Sequence, residues 1–402
     1  MNSDRARVFF AAGPGNVIEA HKNWRHGIDD PSQMSITFSS EVEQFCTEIG
    51  ALTYIVSSAS PPALLQDNDI TVEHRPKRVG SGLRFHMSEI RYGLGLLRTA
   101  LRFKADYAIL QSGSTHYFMM SLFRLFGMKV IPIMHNTLWP KGFMPHALVH
   151  KIVLYLDSLF FRYGATAILV VSPECIRQVE HVTNGRHGPV KIFLAQFNRT
   201  QFQPKIQPPS YETSPFRLLY SGRIVRSKGV FDLLRIIQEV DAKLPGRISL
   251  DICGDGPDMV LLKNEAQRFG LDRIVSINGW TKPADLRQML TSINAAIVPT
   301  RSEFNEGMAM SAIEPVLMGR PVITNPVVPA LELLRSACVV ALTDDIESYS
   351  IAIIGLLENP NHYFDLVRSC HGLQESFYDG SRSLRTALNH VFRKIQTKRS
   401  LD

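Results

Sequence analysis

The 402-residue chain has little cysteine, and none of it is paired by spacing. Cys46, Cys175, Cys253, Cys338 and Cys370 stand singly, which excludes a CxxC metal site and argues against a disulfide framework. No apolar run reaches the roughly 20 residues that a membrane span needs. The richest stretch, 117–134, is interrupted by Arg124, Lys129 and Pro132, and reads as a helix followed by a buried strand. No signal peptide is visible: Arg5 and Arg7 precede only the short run Val8 to Ala12. GxxxxGK[ST] and HExxH are missing too. Gly13-Pro14-Gly15 lacks the third glycine of a dinucleotide fingerprint, which disfavours an oxidoreductase.

What is present is a globular composition, 45% hydrophobic and 20% charged, long enough for two domains. The charge is uneven. Residues 1–205 hold 22 basic and 15 acidic side chains, whereas 206–402 hold 22 of each. The densest stretch runs from Arg75 to Lys104, where eight cations face only Glu89. A basic half points to an anionic partner such as a membrane surface or a phosphorylated substrate, or else to a plainly solvated face. Nucleic acid rests on charge alone, with no recognisable module.

Short apolar runs alternate with amphipathic stretches along the first half. Segments 7–12, 52–57, 107–111, 129–134, 167–172 and 190–195 read as buried strands, with helices over 89–103 and 147–163. A proline-rich linker, 203–215, follows. The rhythm then restarts, with strands over 217–221, 249–253, 275–278, 295–299 and 321–324. Helices over 230–243, 259–269, 283–290 and 308–318 lie between them. The expected fold is therefore α/β, with two parallel-sheet units over 1–202 and 216–382 and a last helix within 383–402.

Three loops carry candidate chemistry. Glu306 sits at a predicted helix start and Glu314 two turns on; a helix N-terminus can hold a diphosphate, and carboxylates accept bonds from sugar hydroxyls. The plain alternative is an acidic residue that stabilises the helix. After a strand ending at Gly222, Arg223 and Lys228 can grip a phosphate from two sides. Cys253-Gly254-Asp255-Gly256-Pro257 reads as a structural turn, with Asp255 as a cap.

In this order and spacing, these elements resemble the donor-binding domain of GT-B glycosyltransferases, the retaining family 4 group above all. The resemblance is strong over 216–334. It implies two Rossmann-like domains facing a cleft, with 1–202 binding acceptor, 216–382 binding a UDP- or GDP-linked sugar, and the last helix crossing back to the N-terminal domain. By the same resemblance, Arg223 and Lys228 would stabilise the leaving diphosphate. Glu306 would bind the donor sugar and Glu314 the ribose. Gly222 belongs to the donor-binding set, Gly307, Met308 and Ala309 would line the sugar and phosphate site, and Gly279 and Trp280 would approach the base. Gly13 and Gly15 match the glycine-rich loop that lets backbone approach the donor phosphate. His135 matches the His or Asp at the cleft rim. Two departures stand out: Ala309 replaces the usual glycine, and the loop after Gly15 lacks the common G-G-x-E pattern.

The implied protein is an enzyme that needs no metal or other cofactor. Its acceptor is a glycolipid or polysaccharide of cell-surface glycan synthesis, and no nucleic acid is involved. The location expected is the cytoplasm, on the inner face of the membrane, with the basic half against anionic lipid. The alternative is a catalytically silent partner subunit of a glycan assembly complex.

Overall fold

The computed structural model describes residues 5–78, 80–202, 208, 209, 211 and 215–399. Most of the predicted linker at 203–215 lies outside the described residues. The chain divides into two compact units. One comprises Met1–Leu138, Pro145–Gln196 and Asp379–Asp402; the other comprises Trp139–Met144 and Phe197–Tyr378.

The first unit is built on eight strands. They are β1 (Arg7–Ala11), β2 (Leu52–Ser57), β3 (Ala63–Asp67), β4 (Ile70–His74), β5 (Tyr107–Gln111), β6 (Lys129–Met134), β7 (Ile168–Val170) and β8 (Val190–Ile192). Their order in the sheet is β3-β4-β2-β1-β5-β6-β7-β8. Every pairing is parallel except the edge hairpin β3–β4. Val8 to Ala11 and all of β5 are buried, as expected of parallel strands covered on both faces. The hairpin turns through Asn68, at φ 50°. The predicted helix at 147–163 ends at Leu159, where a wider π turn, Phe160–Gly164, buries Phe160 and Phe161.

The last helix, Leu384–Arg399, packs in this first unit, as the fold required. Phe392 meets Phe45 edge-on, with ring centroids 5.5 Å apart, and Arg385 and Asn389 both reach the Glu48 carboxylate.

The second unit has six parallel strands: β9 (Phe216–Ser221), β10 (Ile248–Cys253), β11 (Val275–Gly279), β12 (Ala295–Val298), β13 (Val322–Thr324) and β14 (Cys338–Val340). The sheet order is β11-β10-β9-β12-β13-β14. Counted within the unit this is 3-2-1-4-5-6, the Rossmann order, which reverses between β9 and β12. The helix Val230–Lys243 shows why the segment folds as it does. Val230, Leu233, Leu234, Ile237 and Val240 repeat at helical spacing and all are buried in the core against the sheet.

Candidate active site

In an open parallel sheet, ligands bind beyond the carboxyl ends of the strands, at the point where strand order reverses. In the second unit that point is flanked by the loops after β9 and β12. The first carries Gly222, Arg223 and Lys228, and the second carries Glu306 to Ala309.

Backbone contacts lock these loops together. Gly222 N–H donates to the Cys253 carbonyl at 3.0 Å, Gly254 N–H to the Gly279 carbonyl at 2.8 Å, and Arg301 N–H to the Ser227 carbonyl at 3.0 Å. Gly254 packs so closely that a Cβ there would lie 1.8 Å from the Gly222 carbonyl oxygen. The Cys253–Pro257 turn is thus structural. Asp255, however, caps no helix: its carboxylate accepts from the next residue, Gly256, at 2.7 Å. Asp258, not Asp255, stands before the helix Met259–Arg268, and its carboxylate accepts from Arg226 N–H at 2.9 Å.

The two cations of the loop differ. Arg223 is exposed, with no ion pair among the described residues. Lys228 is largely buried and donates from Nζ to Glu306 Oε2, where the Thr300 hydroxyl also lies within 3.4 Å. The Lys228 ammonium rests over the Phe304 ring, 4.2 Å from its centroid. Thr300 and Phe304 thus belong to the site, and nothing in their sequence positions marks them.

The helix after this loop is Met310–Leu317, two residues shorter at its start than the pattern predicts. Gly307, Met308 and Ala309 therefore precede the helix, and no side chain caps it. Ala309 holds φ at 66°, a left-handed conformation that favours glycine. Glu314 lies inside the helix. Burial pushes its carboxyl up to about 8, with Arg287 opposing the shift. Gly279 ends β11 at φ 72°, and Trp280 beside it is 63% exposed.

The remaining predicted residues belong to the first unit, whose own order reverses between β1 and β5. Gly13 follows β1, and its N–H donates to Gln111 Oε1 at the end of β5, at 2.9 Å. Space around Gly15 is open: a Cβ would meet nothing within 4 Å. His135 follows β6, its ring stacked on Phe38 at 4.6 Å between centroids. Both ring nitrogens are buried without a hydrogen-bond partner among the described residues, and burial lowers the imidazole to about 4. It is neutral at neutral pH, and an orphaned buried polar group of this kind calls for a partner.

The basic stretch divides between core and surface. On the helix Gly82–Phe103, Tyr92, Leu96 and Leu97 are core, whereas Leu83, Phe85, Met87, Leu94 and Leu101 are exposed beside Arg84, Arg91, Arg98 and Arg102. On the helix Tyr117–Leu125, Met119, Met120 and Phe123 are likewise buried. No helix among the described residues is long and apolar enough to cross a membrane.

Two parallel sheets of this order, with the last helix returned to the first unit, define the GT-B glycosyltransferase fold. A sucrose-phosphate synthase from Thermosynechococcus elongatus superimposes with a TM-score of 0.73 at 14% identity, covering 98% of this chain and 100% of that one. Anabaena HepE in complex with UDP gives 0.65 at 13% identity, covering 98% and 100%. In sequence, residues 202–369 match the family described as glycosyl transferases group 1. Glycogen synthase of Mycobacterium tuberculosis is 28% identical over 113 residues, which are 28% of this chain and 26% of that protein, so the match spans about a quarter of the relative. The chain thus has the GT-B fold, and most of its second unit matches the group 1 glycosyltransferases in sequence.

Proposed function

We propose that the protein is a retaining glycosyltransferase that moves a sugar from a UDP- or GDP-linked donor to a glycolipid or polysaccharide acceptor. The observation that carries this reading is the Lys228–Glu306 pair, set with Arg223 where strand order reverses in a group 1 domain. A paired cation and carboxylate at these strand ends suit the two halves of a nucleotide sugar, its diphosphate and its sugar hydroxyls. Lys228 and Arg223 stabilise the charge that grows on the leaving diphosphate. Glu306 orients the sugar, and the Glu314 carboxyl receives the ribose. Neutral His135 supplies a ring nitrogen on the acceptor-side unit. The leaving phosphate takes the acceptor proton on the same face, so no protein nucleophile is called for.

Two cations at the diphosphate do the work that a divalent metal does elsewhere, so turnover should survive EDTA. A panel of nucleotide sugars, followed by donor hydrolysis and thermal shift, tests the reading. One UDP or GDP sugar should be hydrolysed slowly and raise the melting temperature; no response from any would favour a silent partner subunit.

The acceptor is taken to be lipid-linked, with the first unit on anionic membrane from the cytoplasmic side. Supporting this, a 600 Å³ cavity beside the helix Gly82–Phe103 is lined by Arg75, Lys77, Arg78, Arg84 and Arg91, with exposed Leu83 and Met87 at its edge. Cations beside apolar side chains suit a peripheral interface, each contributing about 1 kcal/mol near an anionic surface. Co-sedimentation should require anionic vesicles and weaken in Arg84→Ser/Arg91→Ser; equal binding to neutral vesicles would contradict it.

A further inference from the structure

A second basic cavity lies in the first unit, away from the residues discussed so far. It measures 870 Å³ and sits between the amino ends of β6, β7 and β8 and one face of the last helix. Lys129 opens β6, Lys191 lies in β8, and His390, Arg393 and Lys394 project from the helix. No Asp or Glu lines it. None of these five side chains has an ion pair or side-chain hydrogen bond among the described residues. The floor is apolar: Ala167 and Val391 are buried, and Val190 and Ile395 partly so.

Four unpaired cations around one cavity repel each other. The His390 imidazole feels this: after burial, Lys394 and Lys191 are what lower it. Cations near a helix C-terminus do complement the helix dipole, and that would account for Arg393 and Lys394. It does not account for Lys129 and Lys191, which belong to strands. Their convergence on the same space is what a bound anion would reward. The position also separates this cavity from the substrate site. His135 follows the carboxyl end of β6, whereas Lys129 is at its amino end, about 20 Å away along the strand at about 3.3 Å per residue.

We propose that this cavity binds a phosphate-bearing ligand with an apolar portion, at a site distinct from donor and acceptor. The phosphate sits among Lys129, Lys191, Arg393 and Lys394, and the apolar portion lies on Val190, Val391 and Ile395. A soluble phosphate ester and a phospholipid headgroup share this chemistry.

Calorimetry on the full chain with inorganic phosphate and with monomeric dihexanoyl phosphatidate tests it. Phosphatidate should bind at least tenfold more tightly than phosphate, and both should weaken with salt. Lys129→Ser/Lys191→Ser should reduce phosphatidate affinity at least tenfold while leaving UDP or GDP binding intact. If that pair fails to fold, the exposed pair Arg393→Ser/Lys394→Ser gives the same reading. Phosphatidate vesicles added as a third arm separate the sources: tighter binding to vesicles than to the monomer assigns a lipid headgroup, and equal or weaker binding a soluble ester. The proposal is overturned if neither probe binds wild type, if both paired variants bind as wild type does, or if only Arg84→Ser/Arg91→Ser reduces binding.

Discussion

The two units reverse their strand order in the same way, yet they furnish the reversal point differently. In the second unit the loops are pressed backbone to backbone and the buried cation is already matched by a carboxylate. In the first unit the loop after β1 is open around Gly15, and over residues 1–205 the 22 basic side chains outnumber the 15 acidic ones. One site is built as a closed device whose residues support each other. The other is a surface left with unspent charge. A substitution in the second unit should therefore register in folding as well as chemistry, and one in the first mainly in binding.

Glycine substitutions give the sharpest contrast. Gly229 holds φ at 76°, and a Cβ there would lie 2.1 Å from the Pro299 carbonyl oxygen. Gly229→Ala should cost about 4 kcal/mol or prevent folding, through clash and a left-handed backbone together. Gly15→Ala should leave the melting temperature within a degree or two, because its Cβ enters free space. If backbone there approaches the donor, its KM should rise nonetheless. Equal melting temperatures for the two variants would erase the distinction between the units.

The two cations of the donor loop split the same way on a smaller scale. Arg223→Ala and Lys228→Ala should each lower turnover by about 10²-fold, the usual cost of losing a charge-stabilising group. Only Lys228→Ala should also destabilise the fold, by about 3 kcal/mol, because it removes the cation paired with the Glu306 carboxylate, whose side chain is 11% exposed. Denaturant titration of both variants checks this. Near-normal turnover in either would remove it from the diphosphate.

The glutamates separate by ligand and by pH. Glu306→Gln should be nearly inactive while still binding bare nucleotide, and Glu314→Ala should weaken the nucleotide itself. Glu314 adds a proton signature. Its folded value of about 8 stands above the ordinary 4.5, so it is mostly neutral at pH 7. The raised value contributes stability that is full below the ordinary range and is lost as pH rises through about 8. Hydroxyl donors from a ribose favour the ionised form. Nucleotide binding at pH 7 should therefore release a proton, seen as a dependence of calorimetric heat on buffer ionisation enthalpy, and Glu314→Gln should abolish it. Proton uptake would reverse the reading.

Sequence alone was informative where one residue type answers to one requirement. Parallel strands are covered on both faces, so β1, β5 and β6 stood out as apolar runs. The β3–β4 hairpin did not, because Leu64 and its neighbours at the sheet edge are exposed and the alternation is short. Arg223, Lys228, Glu306 and Glu314 were visible as charges at fixed spacing after strand ends. Thr300 and Phe304 were not, since their part depends on which loop folds over Lys228. Nor could spacing distinguish core from surface on the basic helix, where Tyr92 and Leu94, two residues apart, end on opposite sides.

Ala309 offers the smallest effect and the finest test. Its left-handed backbone costs a non-glycine residue about 1–2 kcal/mol. Ala309→Gly relieves that strain, gives up a buried methyl worth about 0.8 kcal/mol, and adds about 0.4–1 kcal/mol of unfolded-state entropy. These contributions nearly cancel, so stability should stay within about 1 kcal/mol of wild type. An ordinary buried helical alanine would lose more than that. The methyl also stands on the backbone turn that feeds the helix Met310–Leu317, so its removal should let the loop settle closer to the donor and lower the KM for the nucleotide sugar by a few-fold. A melting temperature that falls sharply would mean the methyl is a packing element and the left-handed turn is held by its neighbours. An unchanged KM beside unchanged stability would place the donor away from this turn.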